Sequence, residues 1–171
     1  MDAKVESDPA AGKNRTTVEQ TSEREVVVTR TFNAPARIIF EAWTTPELLK
    51  RWWTPKSMGM VFVSCDIDLR TGGGYRFVFS HPDAEQPMAF FGRYLDVTPP
   101  SRLVWTNEES GEEAQITTVT FEESGGRTRV VLRDLYPSKE ALEASGFASA
   151  LIEPFEQLDE LLLTRDASAG R

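Results

Sequence analysis

The sequence predicts an α+β domain in which an antiparallel sheet of six or seven strands wraps around a long C-terminal helix, with two short helices after the first strand. Three observations lead there. Residues 61–135 hold successive apolar segments of period two, separated by turn residues. Residues 33–53 switch to helical spacing, with Pro35 and Pro46 each suited to a first helical turn. Near the C-terminus, Phe147, Leu151, Phe155, Leu158 and Leu162 recur at spacings of 4, 4, 3 and 4.

Residues 1–22 are rich in Ser, Thr, Asp, Ala and charges without a hydrophobic period, so they read as a disordered tail. The domain is expected over 23–164, with a second disordered tail over 165–171. The first strand is "EREVVVTRTF", with Val26, Val28 and Phe32 on alternate positions. In "NAPARIIFEAWTTPELLKRWW", Ile39, Phe40 and Trp43 share helical spacing, and two short helices meet at Thr44 and Thr45. "MVFVSCDIDL" sets Val61, Val63, Cys65, Ile67 and Leu69 against Phe62, Ser64, Asp66 and Asp68, so one face is expected to be apolar and buried and the other mostly polar.

In "RTGGGYRFVFS", Tyr75, Phe77 and Phe79 share a face. The three glycines before them read as a turn or bulge, since no GK[ST] follows. "MAFFGRYLDV", "SRLVWTN", "AQITTVTF" and "TRVVLRDL" complete the series, separated by "TPPS", "EESGEE" and "EESGGR". Short connections favour antiparallel hairpin order. Ser138 can cap a helical turn at "SKEALEAS", and Gly146 interrupts before the last apolar stripe. Pro154 lies inside that stripe, so one helix kinked near Ala150–Pro154 is expected. An aromatic sheet face and an amphipathic helix are complementary surfaces, although periodicity alone does not fix the topology.

The 171 residues, 40% of them apolar, suffice for one hydrophobic core. A formal net charge of −8 and the lack of a basic stripe with interleaved aromatics argue against nucleic acid as a partner. No apolar run approaches the roughly 20 residues that span a bilayer, and the first residues lack the apolar core of a signal peptide. No membrane insertion and a cytoplasmic location are therefore expected. One cysteine, Cys65, and one histidine, His81, leave no zinc or haem spacing, so neither a metal nor a cofactor is expected.

Four ordered segments carry a resemblance: "TRTFNAPARIIFEAWTTPELLKRWW", "DIDLRTGGGYRF", "FFGRYLDVTPPSRLVWT" and "SGFASALIEPFEQLDELL". Together, from Val26 to Leu163, the chain resembles the activator of heat-shock protein 90 ATPase homologue-like family of the SRPBCC, or START-related, superfamily. The resemblance implies a helix-grip fold, in which a strongly bent antiparallel sheet grips the C-terminal helix and encloses a hydrophobic cavity. Members range from lipid and polyketide binders to cyclases and a co-chaperone domain, and fold analogy does not choose among them.

Within that frame the aromatic alternation predicts a pocket formed by Trp53, Phe77, Phe79, Phe91, Trp105, Phe147, Leu151 and Phe155. Trp52 and Trp53 point about 100° apart on a helix, so Trp52 is expected to anchor it and Trp53 to line the cavity. Arg93 shares its strand face with Phe91 and Leu95 and is expected to orient a ligand inside, unless a bulge turns it outward. Either Arg133 or Asp134 must also point inward if "VVLRDL" alternates.

No catalytic residue is expected. His81 in "SHPD" reads as a solvated turn residue, Cys65 as a buried inert thiol, and Asp66, Asp68 and "NEESGEE" as solvated charge. The functions open at this point are binding of a hydrophobic small molecule, an enzyme of cyclase or hydrolase type acting on such a ligand, and a co-chaperone with a heat-shock ATPase partner. The first is the expected one. The chain is expected to be a monomer or a homodimer through an edge strand.

Overall fold

A computed structural model describes residues 4–6, 16–108, 115–145 and 151–169, with side chains described for 16–108, 115–144 and 151–164. Among the described residues nine strands form one antiparallel sheet: β1 (Lys4–Glu6), β2 (Thr17–Gln20), β3 (Glu25–Phe32), β4 (Val61–Ile67), β5 (Gly74–Ser80), β6 (Met88–Thr98), β7 (Arg102–Asn107), β8 (Gln115–Ser124) and β9 (Arg127–Leu135). Their order across the sheet is β1-β2-β3-β9-β8-β7-β6-β5-β4. Between β3 and β4 lie α1 (Ala36–Thr44) and α2 (Pro46–Trp52), and after β9 come α3 (Lys139–Ser145) and α4 (Ile152–Ala169).

Strands β3 to β9 are the seven read from the sequence, but the faces of β4 are a correction. A bulge between Phe62 and Ser64 shifts the alternation, so Phe62 packs on Phe77 and Phe79 while Val61 and Val63 are exposed. The other two strands fall in the stretch expected to be a disordered tail, and α4 runs to Ala169, into the second stretch expected to be one; both are corrections. In β2 only Val18 is buried, so no hydrophobic period marks it. It is held by backbone pairing, with Val18 opposite Val28, and by the Arg30 guanidinium, which donates to Thr16 Oγ1 at 2.9 Å.

The bend of the sheet centres on β6. Its residues 88–93 pair with β5 and its residues 94–98 pair with β7, with a bulge between Tyr94 and Asp96. Gly92 stands at the changeover, where a Cβ would lie 1.8 Å from the Thr106 carbonyl oxygen, so only glycine lets β6 approach β7 this closely. The inner face so formed carries Tyr75, Phe77 and Phe79 from β5, Tyr94 from β6 and Trp105 from β7, all buried.

Two helical layers cover that face. In α1, Ile39, Phe40 and Trp43 are buried, and Phe40 meets Phe121 of β8 edge-on at 5.4 Å. In α4, Leu151 at its start, Phe155, Leu158 and Leu162 are buried, and Phe155 meets Phe32 of β3 at 5.8 Å. Pro154 is the third residue of α4, in the first turn, where its missing N–H is one of four without an intrahelical acceptor. A kink at an interior proline is therefore not what this position requires. The part of that expectation resting on residues 146–150, Ala150 included, lies outside the described residues.

One buried ion pair ties α4 to the sheet. Arg30, 5% exposed on the inner face of β3, donates to Asp159 Oδ2 at 3.1 Å, while Asp159 is 25% exposed. The asymmetry sets the expected mutational response. Asp159→Ala strands a buried guanidinium and should cost about 3 kcal/mol, whereas Arg30→Met leaves a carboxylate that water still reaches and should cost less. Urea unfolding of the two variants measures the difference. Gly92→Ala should cost about 3 kcal/mol by the same measurement, because backbone rather than a flexible side chain must move.

Candidate ligand-binding site

Between the inner face of β5–β7, the start of α4 and the segment after α2 lies a cavity of about 320 Å³. Phe77 and Phe79 of β5, Phe90 of β6 and Trp105 of β7 form its sheet wall. Trp53, Pro55, Met58 and Met60 close one side, and Leu151 and Pro154 the side toward α4. At one end the lining turns polar, with Tyr75, Asn107 and Gln115. None of the described lining residues is charged.

The adjacent tryptophans divide as follows. Trp52 is fully buried, packs edge-on against Trp43 at 4.8 Å and donates its Nε1–H to the Ala42 carbonyl at 3.0 Å. Trp53 is half-buried on the cavity wall. The rim beyond it is strapped to α4. Gln157 donates to the carbonyls of Trp52 at 3.0 Å and Thr54 at 2.8 Å and accepts from Lys56 N–H at 2.8 Å. Ser57 donates to the Glu153 carboxylate from its N–H at 3.0 Å and its hydroxyl at 2.5 Å.

Of the residues expected to form the pocket, Trp53, Phe77, Phe79, Trp105 and Leu151 lie on this lining. Phe155 does not, being fully buried between Phe32 and Trp43. Phe147 lies outside the described residues. Phe91 and Arg93 are corrections. "MAFFGRY" offers a phenylalanine on either parity, and pairing with β5 sets Phe90 opposite Phe77 and Phe91 opposite Arg76. Phe91 is thus 40% exposed on the outer face. Arg93 also points outward, where water and Glu108 at 2.9 Å satisfy a charge that the cavity could not. The Glu108 carboxyl is held below its usual range by hydrogen bonds from Thr106 and then Arg93.

The inward charge is Asp134, while Arg133 is half-exposed and 3.7 Å from Glu25. Asp134 sits behind the polar end of the cavity. Its Oδ1 accepts from the Thr117 hydroxyl at 2.5 Å, and Oδ2 has no hydrogen-bond partner among the described residues. Thr117 Oγ1 accepts from Asn107 Nδ2 at 2.9 Å, and the Tyr75 hydroxyl lies 3.2 Å from Asn107 Oδ1. Burial pushes the Asp134 carboxyl up to about 6, with hydrogen bonds from Thr117 and Gln115 opposing the rise. Phe90, Met58, Met60, Asn107 and Gln115 were not anticipated. Phe90 had a sequence signal, its alternation with Tyr94. The amides had none, since polar residues bordering an acidic stretch read as loop.

The other chemically suggestive residues fall elsewhere. Cys65 is half-buried, and desolvation pushes its thiol up to about 12, which keeps it from acting as a nucleophile. His81 Nδ1 accepts from the Asp83 N–H at 3.0 Å within a turn. The glycines 72–74 make the β4–β5 turn, with Gly72 at φ 90° and the Asp68 N–H donating to the Gly74 carbonyl at 2.8 Å. Among the described residues no group of three or more His, Cys, Asp or Glu could hold a metal ion, and no helix is long and apolar enough to cross a membrane.

Comparison with known proteins gives a consistent picture. Residues 33–162 match the model of the family described as activator of Hsp90 ATPase homolog 1-like protein. A crystal structure from Nitrosomonas europaea is similar at 25% identity, with a TM-score of 0.76, over 86% of this chain and 99% of that one. One from Mycobacterium smegmatis is similar at 24% identity and a TM-score of 0.72, over 94% and 99%. The solution structure of an AHSA1-like protein from Aeromonas hydrophila is similar at 19% identity and a TM-score of 0.64, over 80% and 94%. No curated protein matches the chain.

Asp134 makes a pH-dependent contribution whose sign follows from its raised value. Between about pH 4 and 6 the unfolded chain releases a proton that the folded chain keeps, so this contribution to stability is lost as pH rises through that interval. Moving a carboxyl from 3.8 to about 6 corresponds to on the order of 3 kcal/mol. Asp134→Asn lacks this term. The stability of the variant relative to wild type should therefore rise by about that amount between pH 4 and pH 7, read from urea unfolding at each pH.

Proposed function

Because this chain belongs to the activator of Hsp90 ATPase homolog 1-like family, within the SRPBCC superfamily, we propose that it binds a hydrophobic small molecule in the cavity between its sheet and its C-terminal helix. The observation that carries this reading is the cavity of about 320 Å³, uncharged on its described lining and mainly aromatic and aliphatic, with the amides of Asn107 and Gln115 and the Tyr75 phenol gathered at one end and Thr54 on the side of the segment after α2. Binding sites for small molecules have this composition, an apolar body with a few polar groups that fix orientation. Displacing water from such a surface drives binding, and a preformed wall limits the ordering cost.

A catalytic reading has less support. Asp134 is the one carboxyl among the described residues tied into the polar end, and it is not on the lining, whereas Gln115 is. No nucleophile and base converge on the cavity among those residues.

Titration with the neutral dye Nile red should give saturable binding with a blue-shifted emission. Phe90→Asp places a charge on the wall at a half-buried position, and should weaken that binding by at least about tenfold in a folded variant. Unchanged affinity in the folded variant would put the dye elsewhere. Native mass spectrometry of freshly purified protein adds a second readout, since a retained apolar adduct supports binding and its conversion on incubation would favour an enzyme.

A further inference from the structure

The polar end of the cavity has a hydrogen-bond polarity that can be read donor by donor. Thr117 has one hydroxyl proton, and its 2.5 Å bond to Asp134 Oδ1 uses it, so Thr117 Oγ1 faces Asn107 as an acceptor. That fixes the orientation of the Asn107 amide, with Nδ2 toward Thr117 and Oδ1 toward Tyr75. The second Nδ2 proton points to the Gln115 carbonyl at 3.3 Å. The Tyr75 hydroxyl also has one proton, and its 2.7 Å bond to the Thr106 carbonyl is shorter than its 3.2 Å approach to Asn107 Oδ1. The donors of Tyr75, Asn107 and Thr117 are thus all committed to protein acceptors.

What remains is acceptor capacity. Asn107 Oδ1 shares a proton whose main partner is elsewhere, and Asp134 Oδ2 has no hydrogen-bond partner among the described residues although Asp134 is 1% exposed. The Gln115 side-chain amide, which opposes the rise of the Asp134 carboxyl, also lies on the lining, where it adds a side-chain carbonyl acceptor and N–H donor capacity. No Lys, Arg or His is among the described lining residues to neutralise an anion.

We infer that the molecule held in the cavity presents a hydrogen-bond donor, a hydroxyl or amino group, to the wall formed by Asn107 and Gln115, and that molecules ending only in acceptors are disfavoured. The inference rests on the binding reading above and specifies the ligand class for the same site. A hydroxyl gives its proton to Asn107 Oδ1 and can accept a Gln115 N–H. An ether or ketone can accept that N–H but leaves Asn107 Oδ1 without a donor. A carboxylate does so with a full charge beside a buried carboxyl group, and one neutral N–H does not offset that.

The decisive comparison uses two neutral probes of the same chain length, decanol and its methyl ether, each competing with Nile red near neutral pH. The ether is the more apolar, so a pocket selecting on hydrophobicity alone would prefer it. Decanol should bind about tenfold more tightly than the ether, and decanoate more weakly than either. Equal or tighter binding of the ether overturns the inference while leaving the binding reading in place. Failure of Nile red itself to bind overturns the binding reading, and the inference with it. In folded Asn107→Leu the preference for decanol should fall below about threefold, and a preference that persists there would overturn the assignment of the wall.

Discussion

The helices and the sheet meet in the core around the indole of Trp43. It is 3% exposed and has ring neighbours in four different elements: Trp52 of α2 at 4.8 Å, Trp105 of β7 at 6.0 Å, Phe121 of β8 at 6.0 Å and Phe155 of α4 at 6.0 Å. Trp53, just beyond α2, adds a contact at 5.7 Å. Its Nε1–H has no hydrogen-bond partner among the described residues, which costs about 1–3 kcal/mol. Burying an aromatic side chain removes about 150–250 Å² from water, worth about 4–6 kcal/mol at roughly 25 cal/mol per Å². Packing therefore outweighs the unmet donor, and a position that looks unfavourable for hydrogen bonding is where helices and sheet meet.

The cavity follows from how the sheet curves around that centre. Because β6 changes partners at Gly92, the aromatic side chains of β5 stand opposite the start of α4 instead of continuing a flat wall. The helices fill the end near Trp43 and leave the other end to Phe77, Phe79 and Phe90. The rim is held through Gln157 and Glu153 of α4, so the same helix that completes the core also positions the segment bordering the cavity. Stability and site geometry share an element, and changes in one are felt in the other.

The electrostatic character of the interior is uniform. Desolvation raises the Cys65 thiol, the Tyr94 hydroxyl and the Asp134 carboxyl alike, so each is pushed toward its neutral form. Among the described residues Arg30 is the buried cation, and it is paired with Asp159 at 3.1 Å on the side of α4. The charges that make the chain acidic lie mostly outside. An interior of this kind suits the apolar molecule proposed for the cavity, whose orientation the few polar groups at one end would set.

By itself the sequence determined the seven strands from β3 to β9, the two short helices, the aromatic inner face of β5 and the family, because each rests on local periodicity or local turn chemistry within a few residues. It also placed Asp66 and Asp68 in water and narrowed the inward charge to Arg133 or Asp134. Only the tertiary structure decided which of Phe90 and Phe91 faces inward, since both parities of β6 are apolar and a one-residue choice of register exchanges the faces. It alone turned Arg93 out, put Phe155 in the core, and brought Asn107, Gln115, Thr117 and Asp134 together from three strands. Short-range pattern reports which residues share a side of an element. Which side becomes a cavity depends on pairings between residues far apart in the chain, and β2, held by such pairing rather than by its own hydrophobicity, was invisible for the same reason.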